Sequence, residues 1–305
     1  MRIAIMGAGA LGCYYGAKLE GTGAEVTYIA RERTVGALRS GGLTVDTSDG
    51  PIRLDSVRAE TDPAAVGPVD VVIYATKLYD VDTTAPLIAP MMGRDTRILS
   101  LQNGVYTEEL LTGIYGADHV WGAQSLLPAQ VVEAGHVRQL SAIDRIEFGR
   151  LDNAQDAATV AFRDRLEAAG VEARIAENTL ESLWRKFIMV GSYGPLSTLV
   201  RAKLGVVRSC PESWQLYRDL MQEAFNVGQA KGAGMAADQV ERHWADGQNR
   251  NPEVETSMQF DRERGARLEV DWFSGYIVRE GERLGIPTPN HRFAWMALKP
   301  WAEGW

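Results

Sequence analysis

The sequence predicts an α/β protein built in two parts. An N-terminal doubly wound, mostly parallel sheet is expected over residues 1–176, followed by a mostly α-helical C-terminal domain over 177–305. Three observations carry this. A glycine-rich turn follows directly on an apolar strand at the N-terminus. Short apolar runs then alternate with helical or turn segments through the first half. From about Glu177 the apolar residues change to the three-and-four spacing of helices. A chain of 305 residues can bury two sizeable cores.

The first element is the strand Ile3-Ala4-Ile5-Met6, continued by Gly7-Ala8-Gly9-Ala10-Leu11-Gly12. In such a strand–turn–helix unit the first glycine allows the tight turn and the second lets the backbone approach a pyrophosphate. The third lets helix and strand pack closely, and the helix N-terminus offers free N–H groups to negative charge. Tyr14, Tyr15, Ala17 and Leu19 continue as a helix that stops at Gly21-Thr22-Gly23, and Glu25 to Ala30 reads as a second strand. Together they complete a βαβ unit of about 30 residues, the Rossmann-type arrangement. Gly7, Ala8, Gly9, Ala10, Leu11 and Gly12 are therefore the expected dinucleotide contacts.

The residues after the second strand decide which dinucleotide. An acidic side chain would hold a free ribose 2′-hydroxyl, whereas arginine clamps a 2′-phosphate. Here Ala30 is followed by Arg31, with Arg33 two residues on, which favours NADP. Glu32 between them opposes that reading, and the alternative for Arg31 is a solvated loop charge.

A β excursion is expected around Leu43–Val45 and Ile52–Leu54. Asp70–Ala75 and Arg97–Leu101 are continuous apolar runs of the kind that buried parallel strands show. Shorter strands are predicted near His119–Ala123, Gly135–Leu140, Asp144–Gly149 and Val171–Ile175. In open parallel sheets ligands bind beyond the carboxyl ends of the strands. Thr76-Lys77 and Gln102-Asn103-Gly104 emerge there. Lys77 offers a cation and Asn103 both a donor and an acceptor; by position alone each reads equally as an ordinary loop residue.

Composition narrows the function classes. Hydrophobic residues make up 45% and charged residues 24%, ordinary values for a globular protein. A net charge of −8, with no block of five Lys or Arg, argues against nucleic-acid binding. No apolar run approaches the ~18–20 residues that span a bilayer. The strand beginning at residue 2 leaves no room for a signal peptide, so a cytoplasmic location is expected. Cys13 and Cys210 offer no disulfide framework, and the scattered His119, His136, His243 and His291 no metal-ligand spacing.

In the helical half, Leu180, Leu183, Trp184 and Phe187 space as one face, as do Trp214, Tyr217, Leu220 and Ala224. Gly232 and Gly234 end the second helix. From Pro252 to Leu284 an amphipathic helix is expected, broken near Gly265 and Gly275. Lys186, within Trp184-Arg185-Lys186-Phe187-Ile188, reads in two ways. It is a snorkelling surface lysine, or an ammonium that stabilises a developing alkoxide and protonates it. Ser257, Asp261 and Glu269 are further polar candidates on helical segments.

With these residues assembled, the chain resembles the ketopantoate reductase family over nearly its whole length. The matching elements are Gly7 to Gly12 with Gly16 a turn later, Arg31, Thr76-Lys77 and Gln102-Asn103-Gly104. To these are added Leu183-Trp184-Arg185-Lys186, Pro195 to Leu199, Thr256 to Asp261, Gly265 to Asp271 and Gly285 to Asn290. The resemblance implies an NADPH-dependent reductase of a 2-oxo acid, with its active site in a cleft between a Rossmann domain and a helical domain. It makes Lys186 the proton donor, Asn103 a contact to cofactor and substrate, Lys77 a cofactor contact, Ser257 a substrate contact and Glu269 a contact on the nicotinamide ribose side. A small-molecule partner is implied, with no nucleic acid or membrane and with a homodimer as the assembly to consider.

The departures bear on substrate. Ketopantoate enzymes carry asparagines four and eight residues after the lysine, where this chain has Val190 and Gly194, and a third asparagine corresponds to Leu204 before Gly205. Ser192, Tyr193 and Ser197 are alternative sources of hydroxyls. A more apolar 2-oxo acid, an imine substrate, or a non-catalytic NADP-binding protein are the competing expectations.

Overall fold

The computed structural model describes all 305 residues. Strand β1 (Arg2–Met6) pairs in parallel with β2 (Glu25–Ile29) on one side and β6 (Val71–Tyr74) on the other. Parallel pairing extends outward to β5 (Arg58–Glu60) beyond β2 and to β7 (Arg97–Ser100) and β8 (Val120–Leu126) beyond β6. The order β5-β2-β1-β6-β7-β8 is that of a dinucleotide-binding sheet, with its topological switch between β1 and β6. Two more strands complete eight: β11 (Arg145–Arg150) runs antiparallel to β8, and β12 (Glu172–Ile175) lies parallel to β11.

Alternation within the strands explains the apolar runs. Ile3, Ile5, Val71, Ile73, Leu99 and Trp121 join one core with Tyr14, Tyr15 and Leu19 of helix α1 (Ala10–Glu20). Their neighbours Ala4, Val72, Tyr74 and Ile98 are completely buried too. A sheet covered on both faces needs apolar residues at every position.

The predicted excursion forms a separate sheet. Its four strands are β3 (Leu43–Thr47), β4 (Gly50–Leu54), β9 (Ala129–Glu133) and β10 (His136–Gln139), in the order β4-β3-β10-β9. The sequence reading missed β5 and β9. Arg58-Ala59-Glu60 is short and polar because it is an edge strand, and β9 edges the small sheet with Val131 and Val132 exposed. Helices α2 (Glu32–Gly41), α3 (Val81–Thr84), α4 (Tyr106–Tyr115) and α5 (Ala157–Ala168) lie along this half. The Asp156 side chain caps α5 by accepting from Thr159 N–H at 2.8 Å.

The second half is helical: α6 (Thr179–Val200), α7 (Leu204–Ser209), α8 (Pro211–Ala230), α9 (Gln239–Asn249), α10 (Ser257–Glu263), α11 (Ser274–Leu284) and α12 (Pro289–Leu298). Tyr193, Leu196, Trp214, Tyr217 and Leu220 form its core with Leu204 and Val240. Thr256 and Gln259 make a reciprocal capping box that starts α10. One expectation is corrected: Gly275 does not break a helix but is the second residue of α11, packed against Trp295 and Arg279, which lie 3.0–3.1 Å from where its Cβ would stand. The break is the segment between Glu263 and Ser274.

By contact density the chain divides into two units, residues 1–102 with 107–179 and residues 103–106 with 180–305. Asn103 to Tyr106 thus pack with the helical unit. Gly104 meets the Phe187 ring and Tyr106 stacks edge-on to Tyr276 at 6.3 Å.

Candidate active site

The glycine turn sits at the switch point of the sheet. Gly7 has φ +108° and lies against the backbone at Ala75 and Thr76, so a β-carbon there would be only 2.8 Å from Ala75 C and O and Thr76 N. Gly12 faces the Gly7 carbonyl oxygen and the Ile5 side chain with no room for a β-carbon, and Gly16 likewise meets the Tyr28 ring. Gly9 differs. It has φ −90° and a β-carbon on it would meet nothing within 4 Å. The protein's own packing explains Gly7, Gly12 and Gly16 but not Gly9, whose bareness leaves the backbone open from outside. Gly9 is also the N-cap of α1 and caps it with no side chain, so the first-turn N–H groups at Ala10 and Leu11 are presented outward. Bare backbone, uncapped helix start and switch-point position together fit a dinucleotide pyrophosphate.

Arg31 stands exposed after β2 as the N-cap residue of α2, with Glu32 and Arg33 exposed beside it. Lys77 is half-buried just beyond β6. Its strand end is tied to the next: Gln102 Nε2 donates to the Thr76 carbonyl at 3.2 Å, and Ser100 Oγ donates to Gln102 Oε1 at 3.0 Å. Gln102 therefore holds the loop that carries Lys77.

In the helical unit, Lys186 is half-buried on α6 between the buried Trp184 and Phe187, whose rings lie 5.6 Å apart. Phe187 meets Gly104 with 3.4 Å between its Cε2 and the Cβ position of the glycine, so Asn103 and Lys186, each the preceding residue, are carried on touching segments. Ser257 is exposed at the first position of α10. Asp261 is buried and accepts from Nη2 of Arg264, the residue that ends its own helix, at 3.1 Å. Glu269 is buried, and its carbonyl accepts from Trp272 and Phe273 N–H at 3.0 and 3.1 Å, forming the turn that leads into α11.

The helix face beyond Lys186 carries Val190 and Gly194, one and two turns on. Two of the three hydroxyls suggested as substitutes for amides, those of Tyr193 and Ser197, are engaged elsewhere, whereas the buried Ser192 Oγ has no hydrogen-bond partner. Tyr193 Oη donates to the Val254 carbonyl at 3.2 Å and Ser197 Oγ to the Gly194 carbonyl at 3.2 Å. Ser192 is completely buried. The residue that sequence reasoning missed is Phe273, whose ring lies against Gly194. Nothing in the local pattern around Phe273 signals this, because the contact joins distant segments.

Family models match both halves: ketopantoate reductase PanE/ApbA over residues 3–153 and its C-terminal domain over residues 178–302. The chain belongs to the ketopantoate reductase family. That family comprises NAD(P)-dependent 2-oxo acid reductases. Among relatives, the 2-dehydropantoate 2-reductase of Nostoc sp. is 27% identical over 98% of this chain and 94% of its own length. The structure of a PanE/ApbA family ketopantoate reductase from Ralstonia eutropha superposes with a TM-score of 0.90 at 30% identity, covering 99% of this chain and 98% of that one. The family fold extends further. A D-mandelate dehydrogenase solved with NADH and anilino(oxo)acetate matches with a TM-score of 0.90 at 21% identity, over 99% of this chain and 98% of that one. No helix is long and apolar enough to cross a membrane.

Proposed function

We propose that this chain is an NADPH-dependent reductase of a 2-oxo acid, with residues 1–176 binding the dinucleotide and 177–305 the substrate. Gly7 to Gly12 receive the pyrophosphate, Arg31 the 2′-phosphate, and Lys77 adds a cation at a strand end. Reduced nicotinamide, when bound, supplies a hydride. Lys186 holds its ammonium at the carbonyl oxygen, stabilises the negative charge that develops there and donates the proton that completes the alcohol. Asn103 orients the substrate and cofactor, Ser257 contacts the substrate, and Glu269 lies on the ribose side. What supports this reading is the contact of Gly104 with Phe187, since Asn103 and Lys186 immediately precede those two residues.

The test is oxidation of NADPH with a panel of 2-oxo acids, including ketopantoate, for the wild type and Lys186→Ala. The variant is expected to lose about 10²–10⁴ in kcat with its circular dichroism unchanged. Undiminished turnover would remove the lysine from the reaction.

A further inference from the structure

The side chains that follow Lys186 along its helix face contain no available hydrogen-bonding group. Val190 is aliphatic and Gly194 has no side chain. Three nearby hydroxyls are turned away: Tyr193 to the Val254 carbonyl, and Ser197 and Thr198 both to the Gly194 carbonyl, at 3.2 and 2.7 Å, while Ser192, buried and without a hydrogen-bond partner, lies off the helix stripe that Lys186, Val190 and Gly194 share. The absence of a side chain at 194 is matched by a ring. A β-carbon on Gly194 would stand 3.3 Å from Phe273 Cε2 and 3.4 Å from Cδ2, so Phe273 occupies the direction in which any residue at 194 would grow. The ring cannot readily swing aside. It is buried, meets Phe187 edge-on at 5.9 Å, and its backbone is held by the hydrogen bond to the Glu269 carbonyl.

Resting on the reductase reading above, we infer that Phe273 is a specificity-determining residue. Seated on Gly194, it makes the wall beyond the reacting carbonyl apolar. The preferred substrates are 2-oxo acids whose side chain is apolar and carries no hydroxyl. A hydroxyl brought against this wall leaves its water partners and finds no replacement. An apolar wall discriminates against an added hydroxyl by roughly 10–100-fold.

The experiment compares kcat/KM for 3,3-dimethyl-2-oxobutanoate and its 4-hydroxy derivative, which differ by one oxygen atom. The wild type is expected to prefer the hydroxyl-free acid by about tenfold or more. Phe273→Leu, which keeps an apolar side chain, is expected to retain that preference. Gly194→Asn alone has no space for its amide beside the ring and is expected not to gain the hydroxylated acid. Gly194→Asn combined with Phe273→Ala opens the space and is expected to shift the ratio toward the hydroxylated acid by about tenfold or more. The ratio compares two substrates on one preparation, so partial unfolding of a variant does not alter it. A wild-type preference for the hydroxylated acid, or a double variant with the wild-type ratio, overturns the role of Phe273 while leaving the reductase reading intact. Failure of the wild type to reduce these two acids or 2-oxo-2-phenylacetate overturns the reductase reading itself.

Discussion

Gly12 sits so close to the carbonyl oxygen of Gly7 that no β-carbon fits between them. The start of α1 is thereby pressed onto the end of β1. Gly12→Ala must displace the Gly7 carbonyl and the Ile5 side chain, and is expected to cost about 2 kcal/mol or more. Gly9→Ala enters open space at an allowed backbone angle and is expected to leave the melting temperature nearly unchanged. Its effect should fall on binding, with about tenfold weaker NADPH affinity by fluorescence titration, about 1.4 kcal/mol. Unchanged affinity in Gly9→Ala would remove the turn from the cofactor site.

Arg31 makes a separate prediction about cofactor choice. It stands exposed beyond β2, and the proposed function has it meet the 2′-phosphate there. Arg31→Ala is expected to weaken NADPH by about tenfold, the loss of a charge-assisted contact, and to leave NADH unchanged. Equal preference for the two dinucleotides in both proteins would exclude the clamp.

Helix α12 takes its N-terminal cap from another helix. Glu223 of α8 accepts from the backbone N–H groups of Asn290 and His291, both at 2.9 Å, and from Asn290 Nδ2 at 2.8 Å. Thr288, the N-cap residue by position, supplies no side-chain bond. Burial raises the Glu223 carboxyl above its ordinary range, while these donors pull it back. Glu223→Ala leaves several buried donors without an acceptor and is expected to cost about 2–3 kcal/mol by denaturant unfolding. Glu223→Gln keeps one carbonyl acceptor and should cost less.

His291 links stability to pH. It is completely buried, with Nε2 at 3.0 Å from the Leu220 carbonyl and Nδ1 at 3.0 Å from Ser274 Oγ. A carbonyl only accepts, so Nε2 carries the proton and Nδ1 receives the serine hydroxyl. Burial pushes the imidazole down to about 4. The unfolded chain, titrating near 6.5, binds more protons between those values. Stability is therefore full above about pH 6.5 and falls as pH drops toward 4, by up to about 3 kcal/mol. Urea unfolding from pH 7.5 to 4.5 should show this slope, and His291→Asn should flatten it. An equal slope in that variant would assign the effect to other groups.

The pattern of residues carried much of the architecture. The strand–glycine–helix opening, the apolar runs at Asp70–Ala75 and Arg97–Leu101, and the helical rhythm after Glu177 are local signals, and they appear as β1-α1, β6 (Val71–Tyr74), β7 (Arg97–Ser100) and the helices from α6 onward. Strand β5 was not legible, since three residues with alternating charge resemble a loop. Nor was the four-stranded sheet, because β3 and β10 pair across some ninety residues. At the candidate site, Lys186, Asn103 and the turn glycines could be chosen by position in a motif. The direction of the Ser192, Tyr193 and Ser197 hydroxyls could not.

The sequence by itself determined the fold class, the strand–glycine–helix turn and the family, because each depends on residues close together in the chain or on a motif matched as a unit. Tertiary structure alone decided that nothing packs on Gly9, and that the Phe273 ring lies against Gly194. Those are questions of which atoms occupy a volume, and segments far apart in the chain supply them.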